Sequence, residues 1–394
     1  MPILHLIEKC EPLKLESKIY IAGHRGLVGS ALLRSLQGKG YRHLTTRSHG
    51  ELDLESQTVV DRFFADERPE YVLLAAAKVG GIHANLSYPV DFLLRNLRIE
   101  TNVIEASWRH QVKGLLFLGS SCIYPRLAPQ PMKEDYVLTG LLEATNEPYA
   151  IAKIAGIELC EAYNRQYGTR FLSVMPTNLY GLNDNYDLDS SHVLPALIRK
   201  FHLAKLARQG DWGAIERDEA VHGPIPADFY GAISGFHKPG EVPSPPLAPG
   251  ASGRTSSPVV RLWGSGSPRR EFLFSDDLAD ACIFLMNRLD DLFAKDDPHP
   301  APCTHHSSLI THHCSFASHH LINIGRGEDL TISELASTVA AILGYEGPVE
   351  WDSAKPDGTP RKLLDVSRIT NLGWRPKISL EEGLRLAYRD YLGK

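Results

Sequence analysis

A tyrosine, a lysine and a serine set what this chain can do chemically. Tyr149 and Lys153 stand four residues apart at the head of a helical pattern, so both side chains share one helix face. The apolar run Leu115–Leu118 before them reads as a buried strand, and Ser120 follows at its end, where it can meet the pair. A phenol with a pKa of about 10 is a poor acid at neutral pH, and a neighbouring ammonium lowers that value. Ser120, Tyr149 and Lys153 together form a unit that can hand a proton to a carbonyl oxygen while its carbon is reduced. The spacing Y-x-x-x-K alone recurs by chance, so its weight comes from the elements around it.

Reduction needs a hydride donor, and the start of the chain offers a place for one. The short strand Lys18 to Ala22 leads into Gly23-His24-Arg25-Gly26-Leu27-Val28-Gly29, and the helical run Ser30 to Gln37 follows. Glycines between a strand and a helix let the backbone approach a pyrophosphate, and the helix N-terminus favours its charge. The second strand, His43 to Thr46, ends at Arg47, Ser48 and His49. An acid at this point would hold the ribose hydroxyl of NAD; Arg47 suits the 2′-phosphate of NADP instead. Arg25, inside the glycine loop, can add a second phosphate contact. The expected cofactor is NADP(H).

The elements that must position these residues follow a strand–helix rhythm. Tyr71 to Ala77 is a buried strand, and the small residues at its end leave room for a cofactor to cross. Asp91 to His110 is a long helix, and Phe171 to Met175 is a further strand leading into Pro176-Thr177-Asn178-Leu179-Tyr180-Gly181. The alternation predicts an α/β fold: a Rossmann-type, doubly wound parallel sheet. We assign residues 1–15 to a tail and 16–181 to the nucleotide-binding domain, to which parts of 271–330 return. Residues 182–270 and 331–394 form a smaller α/β substrate-binding domain, interrupted by insertions at 210–258 and 296–320. Ser190 and Ser191 are expected to cap a helix from His192 to about Leu206. The second insertion holds His299, His305, His306, His312, His313, His319, His320, Cys303 and Cys314 without a recognised ligand spacing, so no metal site is expected.

Bulk composition excludes several classes. The 394 residues suffice for two domains, and 43% are hydrophobic, enough for a sizeable core. A formal net charge of −5 gives no footprint for nucleic acid. No run reaches the length of a membrane span, so no membrane partner is expected. The first residues lack a basic start and an apolar core, unlike a signal peptide. Six irregularly spaced cysteines suggest no disulfide scaffold, and a reducing cytoplasm is the default.

Longer motifs narrow the reading. Residues 22–29, 75–82, 118–125, 146–156, 175–181, 191–197 and 355–365 (K-P-D-G-T-P-R-K-L-L-D) together resemble the GDP-L-fucose synthases, a branch of the extended short-chain dehydrogenase/reductase family. The resemblance implies epimerisation of GDP-4-dehydro-6-deoxy-D-mannose at C3 and C5, then reduction at C4 by NADPH. The protons at C3 and C5 flank the C4 ketone, so removing either gives an enolate that Tyr149 can hydrogen-bond. Inversion also needs a base and an acid on opposite faces of the ring carbon. The resemblance makes Cys122 and His192 that pair. On an extended segment Cys122 emerges on the same side as Ser120, and a thiol with a pKa near ~8.5 serves as base when partly activated. By the same carry-over, Lys153, Pro176, Asn178, Leu179 and His192 contact the cofactor, and Lys200, Trp263, Arg270 and Asp357 contact the GDP-sugar. Trp263 could equally be core packing.

Two other readings stay open on sequence. A nucleotide-sugar 4,6-dehydratase or 4-epimerase on the same fold usually has an acidic residue near the active serine, where this chain has Ser121 and Cys122. A non-catalytic NADP-binding regulator would be free to lose Tyr149, Lys153 or Cys122. The resemblance also implies a homodimer that pairs two long helices per subunit. The candidates are Asp91–His110 and Tyr149–Tyr167, the latter with Ile151, Ala155, Leu159 and Ala162 at helical spacing.

Overall fold

The computed structural model describes residues 12–235, 258–294, 320–355 and 357–394. In the first half, strands β1 (Ile19–Ala22), β2 (Leu44–Thr45), β3 (Tyr71–Leu74), β4 (Gly114–Leu118) and β5 (Phe171–Pro176) alternate with helices α1 (Leu27–Gly38), α2 (Gln57–Glu67), α3 (Ile82–Ser87), α4 (Pro89–Arg109) and α5 (Glu147–Tyr167). Beyond β6 (Asn178–Tyr180) come α6 (Val193–Gln209), α7 (Trp212–His222), α8 (Ala227–Ser234), β7 (Val260–Trp263), β8 (Arg269–Arg270), β9 (Phe272–Phe274), α9 (Ser275–Met286) and α10 (Leu289–Phe293). The chain closes with β10 (Leu321–Ile324), β11 (Leu330–Thr331), α11 (Ile332–Leu343), β12 (Val349–Asp352), β13 (Arg361–Lys362), α12 (Ser367–Asn371) and α13 (Leu380–Leu392).

The central sheet is parallel throughout, in the order β10-β5-β4-β3-β1-β2. Its strands are apolar on both sides because both faces are covered. Tyr20, Ala22, Val72, Leu115 and Phe117 face a layer built from α2, α4 and α5. Ile19, Ile21, Leu73, Leu116 and Leu118 face α1 and α9. Strand order reverses between β1 and β3, and ligands of such sheets bind outside the carboxyl ends of the strands at that switch. The Rossmann-type reading holds, and the long helices of α4 and α5 lie side by side on one face.

A third core forms the second lobe, where Leu197, Ile198 and Phe201 of α6 meet Leu335 and Val339 of α11 and Leu384 of α13. Three small sheets adjoin it: β12 with β7, β11-β8-β13, and β6 with β9, whose Tyr180, Phe272 and Phe274 enter this core. The chain crosses between lobes more than once, for α12 and Trp374 pack on the α1/α9 face of the main sheet. The span assigned as an insertion from residue 210 begins with two helices. Ile215 of α7 and Phe229 and Ile233 of α8 are buried in the second core. Arg199, fully buried on α6, holds α7 in place: it donates to Asp218 at 2.8 Å and to the carbonyls of Tyr186, His222 and Gly223 at 3.2, 2.8 and 2.5 Å. Residues 236–257, and 296–319 of the histidine-rich stretch, lie outside the described residues.

The expected serine cap of α6 is not formed. Asp187 takes the Ser190 hydroxyl at 2.7 Å, and His192 itself occupies the cap position with extended backbone. The helix begins at Val193, so both serines precede the cap position, and the Ser190 oxygen accepts from the Asn185 amide at 2.9 Å instead.

Candidate active site

The end of β1 and the start of α1 make a backbone cradle. Gly23 adopts φ +85°, the left-handed region, and a Cβ there would lie 2.8 Å from the Ala76 backbone. Gly29 sits so close to the same turn that its Cβ would fall 2.1 Å from the Gly23 carbonyl oxygen. Gly26 caps α1 with no side chain, so no side chain takes up its first-turn N–H groups. Close approach of backbone and unoccupied donors at a helix N-terminus fit a dinucleotide pyrophosphate. Arg25 is exposed on this loop, and its carbonyl accepts from Asn183 at 2.8 Å, a tie between the two lobes.

Arg47 reaches the expected edge but is not idle there. It pairs with Glu67 on α2, donates to the Thr46 carbonyl at 2.8 Å and lies 5.7 Å over the Phe63 ring. A half-exposed ion pair of this kind contributes only about 0–1 kcal/mol, so a phosphate can displace Glu67 at little cost.

Ser120, Cys122, Tyr149 and Lys153 converge where β4 ends and α5 begins. The segment after Ser120 is not extended. Residues Ser121–Ile123 curl into a 3-10 turn, and the Cys122 N–H points at the Ser120 hydroxyl oxygen at 3.5 Å. This turn, rather than strand alternation, brings the thiol inward. Lys153 is buried, with its Nζ 4.7 Å over the Phe117 ring and 5.8 Å over the Tyr149 ring. The Lys153 ammonium does not dominate the phenol. Burial raises the Tyr149 pKa well above its ordinary value, Cys122 and Glu100 push the same way, and Ser120 works against them. Burial likewise raises the Cys122 thiol, against the Ser120 hydrogen bond and the charges of Lys362 and Lys153. Surrounding protein lowers the His192 imidazole, although part of the residue stays open to solvent. The free protein therefore holds a protonated phenol, a protonated thiol and a neutral imidazole at neutral pH.

His192 is fixed through the chain before it. The Gly81 N–H donates to the Ser190 carbonyl at 3.2 Å, and a Cβ on Gly81 would press on the Ser191 carbonyl at 3.3 Å. The Gly80–Gly81 loop is held in turn by Asn85, whose side-chain amide donates to both glycine carbonyls at 2.9 and 3.0 Å. On the other side, Asn178 donates to the Glu271 carbonyl at 2.8 Å, and the Glu271 carboxylate accepts from the N–H groups of Gly327 and Leu364 at 2.7 and 3.1 Å. Glu271 thereby ties Asn178 to Gly327, between β10 and β11, and to Leu364, just past β13. Its part was not foreseen from sequence.

The residues expected at the sugar nucleotide fall into two groups. Trp263 is 57% exposed, with Lys355 over its ring at 5.0 Å, so it is not core. Asp357 accepts from the N–H and hydroxyl of Ser265 at 2.6 and 2.8 Å and so is engaged in a turn with Gly264 at φ +80°. Arg270 and Lys200 are half-buried cations whose pKa values burial pulls down, and Lys362 is a third. Among the described residues none of the three has a carboxylate within ion-pair distance. Lys362 stands in register with Arg270 on neighbouring strands, while Arg269 and Arg361 on the opposite face share Asp329 at 2.8 and 2.5 Å. Desolvated, unpaired cations call for an anion. Lys362 sits inside a motif noted in the sequence, but only the fold shows it beside Arg270.

Sequence comparison identifies the kin of this site. The sequence model of the NAD dependent epimerase/dehydratase family matches residues 19–218 and 223–297. The chain belongs to that family. It is 48% identical over 380 residues to "Putative GDP-L-fucose synthase 2" of Arabidopsis thaliana, covering 96% of this chain and 93% of the relative. It is 45% identical over 377 residues to "GDP-L-fucose synthase" of Escherichia coli (strain K12), covering 96% and 97%. The solved structure of MlghC, a GDP-mannoheptose C4 reductase from Campylobacter jejuni with NADP bound, shares 37% identity and a TM-score of 0.74 over 96% of this chain and 99% of that one. The family placement read from the motifs is borne out.

Proposed function

We propose that the chain converts GDP-4-dehydro-6-deoxy-D-mannose to GDP-L-fucose, inverting C3 and C5 and then reducing C4. The observation that carries this reading is the Cys122 thiol packed beside Ser120, Tyr149 and Lys153, one turn after β4. A C4 reductase needs only the serine, tyrosine and lysine; a buried thiol among them supplies the base that inversion at carbon demands. Names of the Arabidopsis and E. coli relatives support the same product.

The residues act in sequence on one bound sugar. Arg270, Lys200 and Lys362 offer positive charge to the diphosphate, and Trp263 and Asp357 line the remainder. The Cys122 thiol first loses its proton, and the thiolate then takes the proton from C3 or C5; His192, neutral in the free protein, first takes up a proton and then delivers it to the opposite face. Tyr149 and Ser120 hydrogen-bond the C4 oxygen while the enolate exists. NADPH, held by the Gly23–Gly29 cradle with Arg47 and Arg25 at its 2′-phosphate, supplies hydride to C4 when bound. Tyr149 gives its proton to the C4 oxygen in that step, so each turnover consumes one NADPH and one proton. A second reading, reduction without inversion, is suggested by the name of the Campylobacter reductase. Incubating purified protein with the keto sugar and NADPH separates the two by product. GDP-L-fucose is expected; a 6-deoxy sugar with C3 and C5 unchanged contradicts the epimerase assignment, and no NADPH oxidation contradicts both.

We assign the dimer contact to α4 and α5. Ile151, on the face expected to pair, is 44% exposed and Leu94 is 42% exposed, and the Trp108 and Tyr167 rings meet at a tilt, 4.5 Å between centroids, along the same pair of helices. Such apolar exposure supports a partner helix pair. Sedimentation at micromolar concentration should give twice the chain mass; a monomer refutes it. A thiol base is best kept in a reducing cytoplasm, and the described Cys122, Cys160 and Cys282 are all free.

A further inference from the structure

The catalytic lysine has an acidic neighbour that the mechanism above does not use. Glu100 lies on α4, in a stripe of buried positions with Phe92, Asn96, Ile99, Val103 and Ile104. Its carboxylate oxygen Oε1 stands 3.0 Å from Lys153 Nζ, and the two side chains keep only 1% and 3% of their exposure. Neither carboxylate oxygen makes a hydrogen bond among the described residues, so the ion pair with Lys153 is the contact that answers this buried charge. The space for this carboxylate is built into α5: a Cβ on Gly156, three residues after Lys153, would fall 2.9 Å from Glu100 Oε2 and 2.5 Å from the Phe117 ring. Glycine inside a helix costs about 1 kcal/mol against alanine, so its place here answers to the groups packed on it.

We propose that Glu100 is a positioning residue for C4 reduction, whose buried carboxylate fixes the Lys153 ammonium against Tyr149 in a place closed to solvent. This rests on the reductase reading above. A buried ammonium left without a counter-charge is an uncompensated charge in a closed site, and nothing then holds it over the phenol. Glu100 acts in a defined field. Tyr149 and Cys160 face it from α5 and Cys122 from the turn after β4, while Lys362 acts on that thiol from β13. Burial raises the Glu100 carboxyl itself, and the Lys153 charge opposes that rise. Its negative charge also opposes ionisation of Tyr149. That sign suits a reductase, because the phenol must still carry its proton when the C4 oxygen needs it.

The test is the pH profile of NADPH oxidation by Glu100→Gln and Glu100→Asp. In the wild type, activity is lost on the alkaline side as the Tyr149 phenol loses its proton. Glu100 Oε1, 3.0 Å from Lys153 beneath the phenol, supplies a charge that opposes this loss, so without the carboxylate the alkaline limb of Glu100→Gln moves to lower pH by about one unit or more. Glu100→Asp, with the charge retained, recovers most of that shift. Deuterium exchange at C3 and C5 without NADPH, which runs through Cys122 and His192, persists in both. A limb that stays put in both variants overturns the proposal. So does a uniform loss of reduction and exchange at every pH with a lowered Tm, the mark of a scaffold residue. If Glu100→Gln does not fold, a Glu100→Asp limb identical to the wild type overturns it alone. A wild-type protein that fails to oxidise NADPH with the keto sugar defeats the reductase reading instead.

Discussion

Replacing Gly29 by alanine tests the cofactor cradle more sharply than any charge change. The added Cβ would sit 2.1 Å from the Gly23 carbonyl oxygen, 1.3 Å inside the 3.4 Å at which ordinary contact begins. Both sides of the clash are backbone, so no side chain can rotate away. The turn carrying Gly23 or the first turn of α1 has to move by about the whole deficit. A displacement near 1 Å in a group that orients a reactant costs on the order of 100-fold. NADPH affinity should therefore fall by roughly 100-fold, or about 2.7 kcal/mol. Gly26→Ala is the internal control. Its Cβ would lie 3.5 Å from the same oxygen, in ordinary contact, and its φ of −79° suits any residue. It should bind NADPH within a fewfold of wild type. Fluorescence titration of both variants gives the answer, with circular dichroism to confirm that each is folded. Equal affinities for the two variants would refute the argument that the cradle depends on this close approach.

Other consequences follow from the same site. Cys122→Ser should suppress solvent-deuterium exchange at C3 and C5 by about 100-fold or more while NADPH oxidation persists, and Tyr149→Phe should do the reverse; mass spectrometry beside NADPH absorbance reads both. The pH dependence of exchange has a definite sign in the free enzyme: a raised Cys122 pKa makes the thiolate scarce until alkaline pH, so exchange should climb as pH rises above neutrality. A profile falling through that range would show that the thiol is not the base. Arg47→Ala should weaken NADPH binding selectively and leave NADH unchanged; equal loss for both removes the 2′-phosphate assignment. Arg199→Ala should cost about 3–5 kcal/mol, because it leaves the buried Asp218 without its counter-charge, and a thermal melt unchanged within error would contradict that account.

Much of this site was legible in the sequence because its chemistry is local. The Gly23–Gly29 loop, Ser120 with Cys122, and Tyr149 with Lys153 each sit where a strand meets a helix, and near-continuous apolar runs mark those strands. What the sequence hid depends on contacts between distant segments. Glu100 reads as one charge on a helix, yet its spacing from Asn96 and Val103 places it on the buried stripe, and that spacing is the signal that finds it. Nothing local pairs Lys362 with Arg270; the register of β13 on β8 does. Ser190 carries a hydroxyl of the kind that favours a cap, but α6 begins only at Val193, and that hydroxyl donates to Asp187 and accepts from Asn185. The segment from Trp212 to Ser234 falls in the stretch assigned as an insertion, and its helices are held by Arg199 and by apolar residues buried against α6 and its neighbours.

The central claim is that one pocket inverts two carbons and reduces a third. Running the reaction to completion in deuterium oxide with unlabelled NADPH tests it in a single product. GDP-L-fucose carrying solvent deuterium at both C3 and C5, and protium at C4, is the predicted result. A reduced product with no deuterium at C3 and C5 would contradict it, and would leave the protein a C4 reductase with a structural cysteine.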